Sequence, residues 1–202
     1  MLCEVKVGGS KPPESTYFFS PKKKNVCIKY NDKMSIITSY NKHEHSKKIL
    51  SIGKRIFNAS DVSLLEKALI ECSQEYSRIC IHDGTILGFA LVRKRNPQIE
   101  TYELAFLGVD PNHHGKGTGS KLLKAIEQLQ PQGSICWLLV NQDNNLAQNL
   151  YSKFGFHILC DCFDSFNVPC FVMMKTNTKG TYITYPPQEL SSSPPPRPVI
   201  LY

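Results

Sequence analysis

The feature that most constrains the fold of this chain is a glycine-rich segment between an apolar strand and a helix. Residues 105–123 read AFLGVDPNHHGKGTGSKLL, with Gly115, Gly117 and Gly119 just before the helical pattern. Glycine makes a helix start harder to order, because it loses more backbone freedom on folding than other residues. Glycine also lets the backbone approach an anion, and the first turn of a helix presents unpaired N–H groups at a positive dipole end. The segment predicts a site for a phosphate-bearing ligand; a plain loop is the alternative interpretation.

Two common phosphate-binding patterns do not match this segment. A nucleoside-triphosphate loop needs G-x-x-x-x-G-K-[ST], but its first glycine position falls on Asp110 and its Ser/Thr position on Gly117. A dinucleotide turn needs G-x-G-x-x-G, and its third glycine position falls on Ser120 or Leu122. Neither of these two patterns therefore explains the glycine segment.

The rest of the chain predicts strands and amphipathic helices in a mixed order. Asp83-Gly84 between two β-branched runs predicts a tight hairpin, and Gly155 stands where a left-handed helix cap belongs. Ser60 or Asp61 is the expected cap of one helix, and Asp143 or Asn144 that of another, which ends at Phe154. Strands are predicted over Met34 to Tyr40, Glu100 to Val109, 134–140, Phe156 to Cys160 and Val168 to Lys175, and the other helices over Ile49 to Phe57, Val62 to Cys72 and Ser120 to Gln130. This order predicts an α/β fold with a mixed sheet.

Length and composition predict one domain, preceded by a basic segment and followed by a Pro/Ser-rich one. The chain has 202 residues, 41% of them hydrophobic, and a net charge of +7. Up to Arg55 it carries twelve Lys/Arg against four Asp/Glu, a basic third that suits an acidic substrate or a phosphorylated cofactor. Few aromatics separate these charges, so no nucleic-acid partner is expected. We predict a weakly ordered basic lead-in over 1–25, the folded domain over 26–175 and a Pro/Ser-rich tail over 176–202, for which an aromatic-grooved partner is one interpretation and simple disorder the other.

Membrane, secretion and metal signals are missing from the sequence. No apolar run reaches the roughly 18 residues of a membrane span, and the first residues lack the apolar core of a signal peptide. We therefore expect a cytoplasmic protein without a membrane partner; a nuclear one is the open alternative. In that compartment the eight cysteines stay thiols. Cys160, Cys162 and Cys170 do not have the spacing of a zinc site, so no metal is expected.

Two motifs in order carry a resemblance to a known family. After the strand come Val109-Asp-Pro111 and then HGKGTG over 114–119, and further on NNLAQNLYSKFGF over 144–156. These resemble V-x-P, Q/R-x-x-G-x-G/A and N-x-x-A-x-x-L-Y-x-K-x-G-F of the GNAT N-acetyltransferase superfamily. The hairpin with Gly88-Phe89 also looks like the second and third strands of that family, and the resemblance covers roughly residues 34–175. One position departs from the pattern, because His114 replaces Gln or Arg.

The resemblance implies a GNAT-like α/β fold, in which a mixed, mostly antiparallel central sheet is flanked by helices in a single domain. It implies acetyl-CoA as the acyl donor, with no metal, and transfer of the acetyl group to a primary amine by direct attack. The acceptor stays open between a small amine, a peptide N-terminus and a lysine side chain, so the partner is an amine-bearing small molecule or protein. The implied cofactor-binding residues are Leu107, Gly108 and Val109 along the pantetheine arm, His114, Gly115, Lys116, Gly117, Thr118, Gly119 and Ser120 around the pyrophosphate, and Asn144.

The resemblance also gives candidate catalytic residues. It implies that Tyr151 protonates the departing thiolate, whereas the alternative is that Tyr151 only packs its helix on the sheet. Asn144 is either a cofactor contact, a helix cap or both. Some relatives place a Glu where this chain has Leu139, so Glu103 is the replacement candidate for the base; an ordinary solvent-facing Glu is its alternative interpretation. His113 and His114 are further candidate bases, or simply shape the turn.

Two other classes of function remain. The first is a catalytically inactive GNAT-like protein that binds acyl-CoA and acts as an interaction module, an alternative that Leu139 favours. The second is a basic interaction protein that shares only the fold. Saturable acetyl-CoA binding would exclude the second class, and turnover on any amine would exclude the first.

Overall fold

The computed structural model describes residues 17–19, 26–30, 33–96, 98 and 100–178. Most of the predicted lead-in, and the predicted tail from residue 179 onward, lie outside these residues. The assignment of both as separate regions stays a prediction. Within the described ranges, no helix has the length and apolar character needed to cross a membrane.

One nine-stranded sheet organises the described chain. Its spatial order is β1-β2-β3-β4-β5-β6-β7-β9-β8. Seven neighbouring pairs are antiparallel and one, β6 with β7, is parallel, so the expected mixed, mostly antiparallel sheet is confirmed. The strands are β1 (Tyr17–Phe19), β2 (Val26–Tyr30), β3 (Lys33–Ser39), β4 (Arg78–His82), β5 (Thr85–Asn96), β6 (Thr101–Val109), β7 (Ile135–Asn141), β8 (His157–Phe163) and β9 (Pro169–Thr176).

Within the described residues, four α-helices cover the two faces of this sheet. They are α1 (Lys42–Ile56), α2 (Ala59–Glu71), α3 (Thr118–Glu127) and α4 (Asn145–Lys153). One core cluster lies between α1, α2 and the first face, and it includes Leu65 and Phe89. A second cluster lies between α3, α4 and the other face, and it includes Leu122, Leu138 and Tyr151. Because β5 contributes to both clusters, it is buried on both faces and forms the centre of the fold.

The helix ends differ from the sequence expectation for local reasons. Helix α1 begins seven residues before the predicted Ile49, because the Asn41 side chain accepts hydrogen bonds from the His43 and Glu44 amides. Helix α2 is capped by Asn58, which accepts from the Asp61 amide, so the predicted caps Ser60 and Asp61 are wrong. The apolar pattern marks the buried face of a helix, and polar first turns such as KHEHS carry no such mark.

The parallel pair β6–β7 divides the sheet into two parts. The two strands are paired at three positions: Thr101 with Ile135, Tyr102 with Cys136 and Glu103 with Trp137. We call this the paired end. Over the remaining described residues, 104–109 of β6 stay paired with β5, while 138–141 of β7 stay paired with β9. We call this diverging part the open end; there one edge of β6 faces a gap.

Candidate active site

The glycine segment lies at the mouth of the open end. Strand β6 ends at Val109, a 3₁₀ turn covers Pro111–His113, and α3 begins at Thr118, two residues before the predicted Ser120. Gly115 and Gly117 have φ of 72° and 73°, the left-handed region that glycine adopts without strain. Gly117 is the N-cap of α3, and no side chain caps this helix. Its first-turn amides are therefore not satisfied by a local cap, as an anion site at a helix start requires.

Four contacts hold the glycine segment in place. Asp110 is buried, accepts a hydrogen bond from the Asn112 amide at 3.0 Å and pairs with Arg55 of α1 at 2.5 Å. The His114 ring hydrogen-bonds the Val109 carbonyl at 2.8 Å, and Lys116 Nζ donates to the Asn112 carbonyl at 3.0 Å. The side chains of His114 and Lys116 thus brace the turn, while the backbone of the turn stays exposed.

Charge effects on Asp110 follow from this placement. Burial raises the pKa of the Asp110 carboxyl, but the Asn112 amide and the Arg55 guanidinium lower it by more, so its pKa lies below the usual value. Asp110 therefore carries a negative charge at neutral pH. The Arg55 pair offsets that charge at a turn that has to receive an anionic ligand.

The free edge of β6 lies next to this turn. Leu107 and Val109 are partly exposed, whereas Gly108 is buried. A Cβ on Gly108 would lie 2.5 Å from Cζ of Phe89 and 2.9 Å from Cδ1 of Ile56. Only glycine therefore lets β6 lie this close to α1 and the sheet centre. The predicted pantetheine residues are together on one unpaired strand edge that leads from the glycine segment into the gap.

Asn144 caps α4 on the opposite side of the gap. Its Oδ1 accepts from the Ala147 amide at 3.1 Å, so the helix-cap interpretation is confirmed for its side-chain oxygen. A cofactor contact through the exposed Asn144 amide nitrogen stays a prediction. The start of α3 also contacts the second half of α4, since a Cβ on Gly119 of α3 would lie 3.3 Å from Cδ2 of Leu150 in α4.

Tyr151 lies in the core between α4 and the sheet. It is 8% exposed, and its ring packs against Phe156 with centroids 5.8 Å apart. Burial raises the pKa of the Tyr151 phenol, and the neighbouring Cys136 thiol adds to the rise. Tyr151 is therefore protonated at neutral pH. The ring of Tyr151 packs its helix on the sheet, as the packing interpretation states. The role of Tyr151 as a general acid stays a prediction.

Glu103 lies at the paired end and is held by two arginines. Its carboxylate pairs with Arg93 at 2.9 Å and with Arg95 at 2.5 Å, and Arg93 also pairs with Glu71 at 3.1 Å. The side chain of Glu103 is 11% exposed, so it is not the solvent-facing Glu of the alternative interpretation. These bonds give Glu103 a structural role, and a base at this position would have to leave them. Its catalytic role stays a prediction.

Leu139 occupies the open end on the face opposite to Tyr151. The alternate residues Cys136, Leu138 and Val140 of β7 enter the core below α3 and α4, so Leu139 points to the other face. Leu139 is 45% exposed there, next to its antiparallel partner Val172 in β9. An apolar side chain thus stands where the family resemblance implies a base in some relatives.

Comparison with known proteins identifies the family of this chain. The model of the acetyltransferase (GNAT) family matches residues 47–156, more than half of the chain. This chain belongs to the GNAT family.

Curated relatives and solved structures agree with that membership. The GNAT chain is 37% identical to the N-alpha-acetyltransferase RimI of Mycobacterium tuberculosis over 75 residues. These aligned residues make up 36% of this chain and 46% of RimI. This chain is 40% identical over 74 residues to the [ribosomal protein bS18]-alanine N-acetyltransferase of Haemophilus ducreyi, covering 36% and 49%. The chain therefore spans about half the length of the curated relatives it matches. Naa50 of Arabidopsis thaliana, solved with the bisubstrate analogue CoA-Ac-MVNAL, superimposes with a TM-score of 0.57 at 20% identity, over 70% of this chain and 98% of that one.

Sequence reasoning missed several residues that shape the GNAT site. The Arg55–Asp110 pair joins residues 55 positions apart, and no local pattern signals such a contact. The aromatic rings of Phe57 and Phe106 meet edge-on beside the gap, with centroids 5.4 Å apart; the sequence predicted only that Phe57 ends a helix and that Phe106 lies in a strand. Among the described residues, no group of three His, Cys, Asp or Glu side chains is arranged to hold a metal ion.

Proposed function

We propose that this GNAT chain is an acetyl-CoA-dependent N-acetyltransferase that transfers the acetyl group to a primary amine by direct attack. The observation that carries the proposal is the uncapped start of α3 at the end of an unpaired edge of β6. First-turn amides suit the pyrophosphate of CoA, and a free strand edge suits the amide groups of its pantetheine arm. Together they would direct the thioester into the gap between β6 and β7.

The proposed cofactor contacts come from the chain's own backbone. Amides of His114 to Ser120 would bind the pyrophosphate, and the edge of Leu107 to Val109 would pair with pantetheine. Asn144, at the start of α4, would reach the same ligand from across the gap. When bound, acetyl-CoA supplies the activated acetyl group; the chain supplies orientation and proton transfer.

The proposed reaction balances with one general acid. The neutral amine attacks the thioester carbonyl, a carbon–nitrogen bond forms, and the carbon–sulfur bond breaks. The amine nitrogen loses its extra proton to water, the Tyr151 phenol donates a proton to the departing thiolate, and the phenolate then takes a proton back from water. The Tyr151 phenol holds its proton at neutral pH, as an ordinary tyrosine does; its raised pKa makes it a weaker acid, so the pKa does not itself support this role.

Thermal unfolding with acetyl-CoA tests the cofactor part of the proposal. At a hundredfold excess over Kd, a native-state ligand adds about 2.7 kcal/mol of stability, which raises the Tm of a domain of this size by about 5–10 °C. Gly117→Glu should abolish the shift, since it puts a carboxylate at the helix start.

Gly84→Glu is the matched control for this experiment. Gly84 has a φ of 71°, and a Cβ added there would meet no heavy atom within 4 Å outside its chain neighbours, as is also true of Gly117. Gly84 lies in the hairpin turn between β4 and β5, whereas Gly117 lies between β6 and α3. Both variants thus suffer the same backbone strain, and the control should keep the full ligand shift. An absent shift in the wild type at millimolar acetyl-CoA would contradict the proposal.

The second candidate is an acyl-CoA-binding protein without catalysis. Leu139 favours it, because an apolar side chain occupies the position of a possible base. A screen of small amines, peptides and lysine derivatives separates the two candidates. Acetyl transfer to any of them supports the enzyme, whereas a ligand shift without turnover supports the binding protein.

A further inference from the structure

We infer that Cys162 and Cys170 form an oxidation site, at which a small-molecule disulfide converts the two thiols into a disulfide bond between β8 and β9. Asn141 of β7 then transmits the change to the start of α4. The effect on acetyl-CoA binding rests on the proposed function, whereas the formation of the bond does not.

The β8–β9 register brings the two thiols together. Cys162 lies directly opposite Cys170, and directly opposite residues of antiparallel strands point to the same face. At the end of this ladder the Asp164 amide donates to the Val168 carbonyl at 3.0 Å. Because hydrogen-bonded pairs alternate along such a ladder, Cys162 and Cys170 are the next bonded pair, with Cα atoms about 5.5 Å apart. Disulfides span Cα separations of about 4.4–6.8 Å, so the register allows the bond.

The same spacing makes the bond easy to reverse. The Cβ atoms of directly opposite residues are about 4.5–5.5 Å apart, which is slightly more than the roughly 3.5–4.5 Å between the Cβ atoms of a relaxed disulfide. The two strands must therefore be drawn together when the bond forms. Strained disulfides are reduced more easily than structural ones. The site is thus suited to reversible oxidation rather than to a permanent cross-link.

The third thiol of this hairpin lies too far from either partner. Cys160 is exposed and stands opposite Val172. Along β8 its Cα is about 7 Å from that of Cys162, and diagonally across the ladder it is about 7–8 Å from that of Cys170. Both distances lie at or beyond the limit for a disulfide. The register therefore selects the Cys162–Cys170 bond over the two others.

The oxidation proceeds by two exchange steps that start at Cys162, which is partly exposed, whereas Cys170 is buried. The Cys162 thiolate attacks one sulfur of the small-molecule disulfide and releases one thiolate. The Cys170 thiolate then attacks the Cys162 sulfur and displaces the second thiolate. The two cysteines lose two electrons, the small disulfide is reduced to two thiols, and the two cysteine protons reach them through water.

The surroundings of the pair keep it reduced until a disulfide is supplied. Burial is the main cause that raises the pKa of both thiols, and the Asp164 carboxylate raises each of them further. Little thiolate is therefore present at neutral pH, and the exchange is slow. The experiment has to run to equilibrium for this reason.

Asn141 connects the pair to the start of α4. The Cys170 thiol donates to Asn141 Oδ1 at 3.3 Å. The Asn141 carbonyl accepts from the Asn144 amide at 3.1 Å and from Gln148 Nε2 at 3.0 Å. Oxidation removes the only hydrogen of the Cys170 sulfur, so Asn141 loses this donor. The change thus reaches the residue pair that positions Asn144, the cap of α4 and a proposed contact of acetyl-CoA.

Peptide mapping of the full-length chain tests the bond. The chain is equilibrated with oxidised glutathione, the remaining thiols are alkylated, and the chain is cleaved without reduction on the amino side of aspartate. Cleavage before Asp161 and Asp164 separates all three cysteines of the hairpin, so mass spectrometry identifies each link. We expect the Cys162 and Cys170 fragments to be joined, and a tenfold excess of reduced glutathione to separate them. Glutathione adducts alone, or a link to Cys160 as the main product, would overturn the inference.

Two serine variants are the matched controls of this experiment. Cys160→Ser should form the same cross-link in the same yield. Cys162→Ser should form none, and its Cys160 should not be joined to Cys170. Loss of the cross-link in Cys160→Ser would make Cys160 a required partner and overturn the inference. Three thiols buried in the two core clusters should stay reduced in every sample and serve as internal controls: Cys72, Cys80 and Cys136.

A binding titration tests the link to α4. Oxidised and reduced chains are titrated with acetyl-CoA, and the Kd of the oxidised chain should be about threefold higher, as expected for the loss of one weak hydrogen bond. Cys162→Ser should give the same Kd before and after the oxidant. An unchanged Kd in fully cross-linked wild type would overturn the link through Asn141. Absence of binding to the reduced wild type would instead contradict the proposed function and leave the oxidation site standing.

Discussion

The two ends of the β6–β7 pair differ in their charged side chains. At the paired end, three rungs join the strands and Glu103 lies in a cluster with Arg93 and Arg95. At the open end, the strands diverge and the corresponding side chain of β7 is Leu139. A carboxylate paired with arginines stabilises a closed sheet, whereas a ligand gap needs free backbone groups and neutral walls. The contrast teaches that an acidic residue on the right strand face is not thereby a catalytic base.

The largest difference in activity is expected between two variants that each lose one hydroxyl group, one beside the proposed site and one at the paired end. Tyr151→Phe should lower kcat by about 100-fold or more, because it removes the proposed proton donor, while its KM for acetyl-CoA and its Tm change little. Tyr102→Phe is the matched control at the paired end, where the Tyr102 hydroxyl donates to Glu100. Steady-state kinetics and thermal unfolding of both variants are the measurement. Equal activity in Tyr151→Phe and the wild type would leave Tyr151 a packing residue.

The next largest effect concerns Glu103. Glu103→Gln should cost about 2 kcal/mol of stability, since it removes the charge that pairs with Arg95 and one of the two carboxylates that pair with Arg93. Its kcat/KM should stay within about threefold of the wild type. Urea unfolding and the pH–rate profile check the two halves of the prediction. A fall in kcat of a hundredfold, with a lost ionisation in the profile, would instead make Glu103 the base.

A smaller effect should come from the link between α1 and the glycine segment. Arg55→Ala frees Asp110 next to the proposed pyrophosphate site, so the KM for acetyl-CoA should rise by about fivefold, which corresponds to roughly 1 kcal/mol for a half-exposed pair. The kcat should not change. Lys54→Ala removes the neighbouring exposed charge and serves as the control. If Lys54→Ala raised KM equally, the effect would be one of overall charge, and the pair would have no positioning role.

The smallest effect concerns acid stability at the open end. Because the pKa of Asp110 is lower in the folded chain than its ordinary value of 3.8, its ionised form stabilises the fold above that value, and this stability is lost as the pH falls below it. Asp110→Asn should lack this part of the pH dependence. Urea midpoints between pH 5 and 3 measure the difference between the two proteins. Parallel curves would show that Asp110 contributes nothing to acid sensitivity.

Local sequence patterns predicted the turns and most of the strands and helices, because each pattern reflects a local backbone geometry. The Asp83-Gly84 hairpin forms with both residues at positive φ, and Gly155 has the left-handed φ of 81° expected of a helix cap. Strand β6 was predicted from Glu100 and begins at Thr101. The glycine segment was identified from its spacing because its function requires backbone geometry, which glycine alone reveals in a sequence.

Contacts between distant residues were beyond local patterns. Nothing near Glu103 in the sequence shows that two arginines ten and eight positions earlier lie beside it, because only the β5–β6 register brings them together. Likewise β8 extends to Phe163, past the predicted Cys160, because pairing with Pro169 to Thr176 orders the irregular-looking DCF. Tertiary pairing decides such ends, and it leaves no periodic signal.

The three-rung junction of β6 and β7 also has a mechanical consequence. Strands β6 and β7 are joined to their other neighbours along five or more rungs, so this junction resists shear less than the strand pairs on either side of it. Amide hydrogens of residues 135–137 should therefore exchange with solvent faster than those of the hairpin β4–β5, whose strands pair at five positions. A ligand that lies along the gap and contacts both strands would reduce their motion relative to each other.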